Sequence, residues 1–160
     1  MMSVQLRAMH PNELSVFRNY SIGDYAGDLM NTQAISPEAA LAQAGQEFDG
    51  LMPGSFLRII EADGCAVGVV WYLTEETDGI RHAFMNDFVI APEHRRKGYA
   101  SAALTALAQE VKAQGCTEIR LYVSGENHAA RALYERCGYH MLRPADAGAY
   151  LFREITLPSD

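Results

Sequence analysis

Phe88-Val89-Ile90-Ala91-Pro92-Glu93-His94-Arg95-Arg96-Lys97-Gly98-Tyr99-Ala100 decides how this chain is read. It joins an apolar run, Ile80 to Ile90, to a segment over Gly98 to Gln114 that carries Leu104, Leu107, Ala108 and Val111 at i, i+3, i+4 and i+7. The stretch is therefore a strand-to-helix turn. The first N–H groups of such a helix lack helical acceptors and lie at the positive end of its dipole. A pyrophosphate can take those bonds. Gly98 lets the backbone approach phosphate oxygens, Ala100 leaves room beside it, and Arg95, Arg96 and Lys97 add charge. A solvated basic loop with a turn-relieving glycine is the plain alternative, and for an isolated R-x-x-G-x-A hexapeptide it is the commoner one. A nucleoside triphosphate loop is excluded because no Gly-Lys-Ser/Thr ending follows, and G-x-G-x-x-G for a dinucleotide is missing as well.

Downstream, Gly115 stops the helix, and Glu118 to Val123 alternates Ile119, Leu121 and Val123 against Arg120 and Tyr122. Strand, helix and strand form a βαβ unit, so the Ile80 and Glu118 strands should run parallel with a right-handed connection. Asn127 then starts a helix through Arg136, with Ala130, Leu133, Tyr134 and Cys137 as its stripe and Gly138 as its stop. Two strands, Tyr139 to Arg143 and Ala149 to Leu157, close the chain. Upstream, Phe56 to Glu61 and Cys65 to Leu73 form a hairpin across Ala62-Asp63-Gly64, and Thr74 to Gly79 reads as an acidic loop. Val4 to Met9 is a short strand stopped by His10-Pro11. A weakly patterned helix runs from Asn12 to about Met30, and Ser36-Pro37-Glu38 caps another over Ala39 to Phe48.

The 160 residues suit one compact domain, are 49% hydrophobic and carry a formal net charge of −7. No global positive field exists to draw nucleic acid or anionic membrane, so any anion must be held locally. Cys65, Cys116 and Cys137 form no C-x-x-C pair and read as free thiols in a reducing compartment. The start of the chain lacks the apolar core of a secretion signal and no run reaches transmembrane length, so the expected location is the cytoplasm. The histidines, His82, His94, His128 and His140 among them, have no metal-ligand spacing, and no metal is expected. Trp71, inside an apolar strand, reads as core.

With its flanks, the Phe88 to Ala100 stretch resembles the coenzyme A pyrophosphate loop of the GNAT superfamily of acyl-CoA N-acyltransferases. Asn127-His128-Ala129-Ala130-Arg131-Ala132-Leu133-Tyr134-Glu135-Arg136-Cys137-Gly138-Tyr139 is similar to that superfamily's N-x-x-A-x-x-L-Y-E-x-x-G-F/Y segment, at the expected distance downstream. The resemblance is specific from about Ile80 to Tyr139. Asp87-Phe88 together with Leu51-Met52-Pro53-Gly54 resembles a bacterial branch of small acetyltransferases, mostly unassigned. It implies a single α/β domain over residues 1–160, with a mixed, mostly antiparallel sheet whose central parallel strand pair splays between flanking helices. It implies acetyl-CoA as cosubstrate, with backbone groups of Phe88, Val89 and Ile90 along the pantetheine arm and the oxyanion. It also implies that Arg95, Arg96, Lys97, Gly98, Tyr99, Ala100 and Ser101 hold the pyrophosphate, that Asn127 and Ala130 contact the coenzyme, and that Tyr134 lies near its sulfur.

The acceptor implied is a small-molecule or peptide amine that attacks the thioester directly. Tyr134 has its own rationale, since a phenol of pKa about 10 is protonated at neutral pH and can donate to a thiolate. Core packing is its other reading. Many relatives place Glu just before the position of Phe88, whereas this chain has Asn86-Asp87. Strand alternation puts Asn86 on the face of Phe84, Phe88 and Ile90, and Asp87 on the other unless a bulge intervenes. Asn86 could then orient a water that carries the amine proton, with Asp87, Tyr122 and Glu126 as further candidates. Cys137 and Ser124 show no activating His-Asp arrangement for a covalent route. The second function class is a noncatalytic acyl-CoA sensor with the same fold. A homodimer is common for families of this size.

Overall fold

The computed structural model describes residues 3–144 and 149–155, with side chains described to Met141. Its elements are β1 (Val4–Ala8), α1 (Pro11–Thr32), α2 (Pro37–Leu51), β2 (Ser55–Ala62), β3 (Cys65–Thr77), β4 (Ile80–Ile90), α3 (Tyr99–Ala113), β5 (Glu118–Ser124), α4 (His128–Arg136), β6 (Tyr139–Pro144) and β7 (Ala149–Ile155). The expected end of the last strand, residues 156 and 157, lies outside the described residues. Seven strands form one sheet in the order β1-β2-β3-β4-β5-β7-β6. The β4–β5 pair is parallel, whereas β3–β4, β5–β7 and β6–β7 are antiparallel, as the βαβ reading requires.

The chain divides into two compact units. One covers Ala8–Phe56. Within it, Ser36 Oγ accepts from Ala39 N–H at 3.1 Å and Pro37 opens α2, the start signal visible in the sequence. Ala26, Leu29, Ala40 and Ala44 form its buried cluster, with Ile22 and Ile35 packed against it. Arg18 pairs with Asp49 through Nε at 3.0 Å and Nη2 at 2.9 Å, and its guanidinium lies 6.0 Å from the Phe48 ring centre.

The other unit comprises the residues up to Arg7 together with those from Leu57 onward. Asp63 and Gly64, both at positive φ, make the β2–β3 turn, which Ser3 clasps with N–H to Asp63 Oδ1 at 3.0 Å. The acidic stretch after Leu73 is not a loop. β3 continues to Thr77, Glu75 faces His82 across the ladder, and the turn is only Asp78-Gly79, at φ 53° and 79°. A two-residue turn of type I′ needs left-handed backbone at both positions, and Asp78-Gly79 supplies it. Leu104, Leu107 and Val111 of the expected α3 stripe are buried, Ala108 is half-buried, and Ala103 is buried beside them.

Candidate active site

The site begins with an interruption. β4 and β5 pair in parallel from His82↔Glu118 to Met85↔Leu121 and no further. On its other side β4 stays paired with β3, but Trp71 faces Asp87 while Tyr72 faces Met85, so Asn86 is an extra residue. This is a β-bulge, which bends its strand and ends regular pairing. It also corrects the face expected from simple alternation. Directly opposed residues share a face, so Asp87 joins Trp71, Leu73 and Phe84, while Phe88 and Ile90 pass to the face of Val70 and Tyr72.

Beyond the bulge, β4 has one paired and one open edge. Ala91 N–H donates to Val67 C=O at 2.8 Å, so antiparallel alternation directs the N–H and C=O groups of Phe88 and Ile90 away from β3, into the gap toward β5. Arg95 Nε donates to Ile90 C=O at 2.9 Å, which ties the turn to the strand end. Gly68 permits β3 to come this close: a Cβ there would fall against the Val89 carbonyl oxygen and lie 3.1 Å from Ile90 Cα. An isolated glycine inside a strand is itself a sign of close backbone approach, and this one was readable in the sequence.

At the turn, a 3₁₀ segment, Pro92–His94, leads into Arg96 at φ 64° and Gly98 at φ 81°. Left-handed residues curl successive N–H groups into an anion-accepting concavity, and an arginine in that region is locally strained. Gly98 is the N-cap of α3, and no side chain caps the helix. Ala102 N–H to Gly98 C=O, at 3.3 Å, is the first helical bond, so the N–H groups of Tyr99, Ala100 and Ser101 precede the ladder. Arg95, Arg96, Lys97 and Gly98 are exposed. An uncapped, glycine-started helix beside exposed cations suits a pyrophosphate, and the open β4 edge suits the amide-bearing arm of coenzyme A.

α4 brings a second set of groups to the same end of the sheet. Asn127 Oδ1 accepts from Ala130 N–H at 3.1 Å, so this side chain caps α4 and leaves its amide nitrogen outside the cap. Cys137 Sγ lies 3.7 Å from Ser101 Oγ, which joins the end of α4 to the first turn of α3. Tyr134 is buried, with its ring 5.4 Å from that of Tyr139. Burial pushes its phenol up to about 12, helped by the negative charge of Asp87 and by Cys137. Tyr134 is therefore both core and electrostatic partner of Asp87. Tyr122 is exposed on the face of Phe84, 5.4 Å from it ring to ring, and Glu126 lies in the exposed loop before Asn127. Among the described residues no three His, Cys, Asp or Glu side chains come together as metal ligands would.

Residues 27–139 match the model of the GNAT acetyltransferase family. The chain belongs to that family. It is an acetyl-CoA-dependent N-acetyltransferase, and several of its relatives are named N-acetyltransferases. It is 31% identical to the uncharacterized N-acetyltransferase YycN of Bacillus subtilis over 86% of this chain and 93% of that one. The crystal structure of YycN superposes with a TM-score of 0.76, covering 91% of this GNAT chain and 97% of the other at 28% identity. A thialysine N-epsilon-acetyltransferase of Bos taurus is 26% identical over 79% of this chain and 80% of its own. The fold is shared by the spermidine N-acetyltransferase of Vibrio cholerae solved with CoA and spermine, at a TM-score of 0.65, 21% identity and coverage of 96% and 95%. No helix among the described residues of this acetyltransferase is long and apolar enough to cross a membrane.

Proposed function

We propose that this acetyltransferase moves the acetyl group directly to a small-molecule amine at the bulge of β4, with Asp87 and Tyr134 as the two working side chains. The bulge at Asn86 carries the reading. It opens the strand pair, exposes a backbone edge, and sets Asp87, whose charge acts on Tyr134, on the face of Phe84. Acetyl-CoA supplies the activated acyl group. The uncapped start of α3, with Arg95, Arg96, Lys97 and Gly98 to Ser101, holds the pyrophosphate, and Asn127 and Ala130 border the arm.

The amine must lose a proton, and Asp87 receives it directly or through a water that exposed Asn86 orients. The Phe88 N–H on the open edge stabilises the developing oxyanion, whereas Val89, expected to share that role, directs its N–H toward β3. Tyr134 enters the reaction protonated. With its phenol pushed up to about 12, full transfer to a thiolate whose acid lies near 8.5 is uphill, so the hydroxyl acts chiefly as a hydrogen-bond donor to the departing sulfur. No acyl-enzyme is required. The three free cysteines support a reducing, cytoplasmic setting.

The test is calorimetry of acetyl-CoA with wild type and Gly98→Asp, beside thiol release with a panel of amines. A side chain and a negative charge at Gly98 should abolish detectable binding. Unchanged affinity in a folded Gly98→Asp protein would remove the turn from the coenzyme site.

A further inference from the structure

Ser101 is the third residue of α3, the helix whose N-cap, Gly98, brings no side chain to its first turn. Helical side chains lean toward the N-terminus, so the Ser101 hydroxyl belongs to the same rim as the N–H groups that precede the ladder. The Ser101 carbonyl is occupied separately, accepting from Thr105 Oγ1 at 3.2 Å. Among the described residues the half-buried hydroxyl meets a single hydrogen-bonding partner, Cys137 Sγ at 3.7 Å. Sulfur is a weak donor and a weak acceptor, so this contact leaves most of the hydroxyl's capacity unused.

Cys137 is held where it can steer that hydroxyl. It is the C-cap of α4, and its N–H donates to the carbonyls of Leu133 and Tyr134, each at 3.1 Å, so the helix end fixes where its half-buried thiol starts. A hydroxyl oxygen can accept one bond while its proton goes to another group, and bonds in such a chain strengthen one another. A phosphate oxygen is a much better acceptor than sulfur, because a hydrogen bond to an anion is charge-assisted. With a pyrophosphate on the turn, the hydroxyl proton goes to the phosphate and the thiol proton turns to the serine oxygen.

We infer that Cys137 is a positioning residue for the coenzyme: its thiol donates to Ser101 Oγ and so directs the Ser101 hydroxyl onto the pyrophosphate. This rests on the reading that the start of α3 holds the pyrophosphate. The contact also ties the helix that carries Tyr134 to the anion end of the coenzyme. A cysteine that only filled space beside Ala130 and Leu133 would need bulk alone, and its effect would not depend on Ser101.

The experiment is a double-mutant cycle on acetyl-CoA affinity, read by calorimetry, over wild type, Ser101→Ala, Cys137→Ala and the double variant, with Cys137→Val beside them. Ser101→Ala should weaken binding about tenfold, the size of one hydrogen bond to a charged group. Cys137→Ala should weaken it about threefold when Ser101 is present and not at all in the Ser101→Ala background, because the thiol acts through that hydroxyl. Valine restores bulk without a donor, so Cys137→Val should lose as much as Cys137→Ala. Wild-type affinity in Ser101→Ala, Cys137→Ala or Cys137→Val overturns the inference. So do equal losses from Cys137→Ala with and without the Ser101 hydroxyl. Failure of the wild type to bind acetyl-CoA, or normal binding in Gly98→Asp, would overturn the reading of the turn on which the inference rests.

Discussion

Trp71 and Asp87 stand opposite one another across β3 and β4, and that pairing puts Asp87, whose charge helps raise the Tyr134 phenol, on the face of Leu73 and Phe84. Were Asn86 paired with Trp71 in unbroken alternation, Asp87 would fall on the face of Met85 and Tyr72. Asp87→Asn keeps the side chain's size and removes its charge. Turnover should fall by about 10²-fold or more if the carboxylate takes the amine proton. The Tyr134 phenol should move down toward its ordinary value, because one of the effects raising it is gone. Spectrophotometric titration of tyrosinate checks the second outcome independently of activity. Wild-type rates with an unmoved Tyr134 would sink the assignment.

Gly68 sets how closely β3 and β4 approach at the open edge. In Gly68→Ala the new methyl group meets backbone at Val89 and Ile90, which cannot swing aside as a side chain can. Overpacking of this kind costs about 1–3 kcal/mol. Because Ile90 is one of the two residues whose N–H and C=O groups line the gap, acetyl-CoA affinity should weaken along with the melting temperature. An equal surface control, such as Gly50→Ala, has nothing within 4 Å of its added Cβ and should leave coenzyme binding unaltered. A normal acetyl-CoA affinity in Gly68→Ala would show that the edge tolerates displacement.

Most of the architecture was legible in the sequence because it rests on local signals. The α3 stripe, the Ser36-Pro37 start of α2, the Asn127 cap and the Gly98 turn each carry their own residue chemistry. The bulge carries none. Asn86 is an ordinary polar residue in an apolar run, and which residue is extra depends on the partner strand's register, which only pairing reveals. α1 reads weakly for a different reason: Val16 and Tyr20 are exposed, so its apolar residues form no single stripe. The acidic residues of β3 mislead as well. Glu75 and Glu76 resemble loop composition, yet each stands in a ladder, opposite His82 and Arg81.

Two buried phenols predict how the protein responds to alkali. Tyr72 is fully buried, donates to Glu110, which Arg58 grips at 3.2 Å, and accepts from Gln114 Nε2 at 2.9 Å. Burial first, and the Glu110 hydrogen bond second, push its phenol upward. Tyr134 is raised to about 12. In the unfolded chain both titrate near 10, so above that pH the unfolded state binds fewer protons and stability falls. The contribution is complete below pH about 10 and is lost as pH rises toward the folded values, roughly 2–3 kcal/mol for Tyr134 alone. Urea unfolding at successive pH values should show this slope, and Tyr134→Phe should reduce it. A slope indifferent to that substitution would place the alkaline loss elsewhere.

The most informative single substitution remains Tyr134→Phe. It keeps the ring that packs on Tyr139 and removes the hydroxyl whose proton burial and Asp87 hold in place. Acid catalysis by a well-matched group is worth about 10²–10⁴-fold. A phenol held this far above the thiol is a poor full proton donor, so the loss in kcat should lie at the lower end of that range. KM for acetyl-CoA should hold nearly constant, since the group acts on the departing sulfur rather than on the bound coenzyme. A tyrosine that is only core would give the opposite pattern, with stability lower by about 1 kcal/mol on losing a buried hydrogen bond and turnover intact. Single-turnover measurements separate the two by reading the chemical step alone. An unchanged single-turnover rate would mean that the thiolate leaves unaided or through water, and that Tyr134 serves the fold rather than the reaction.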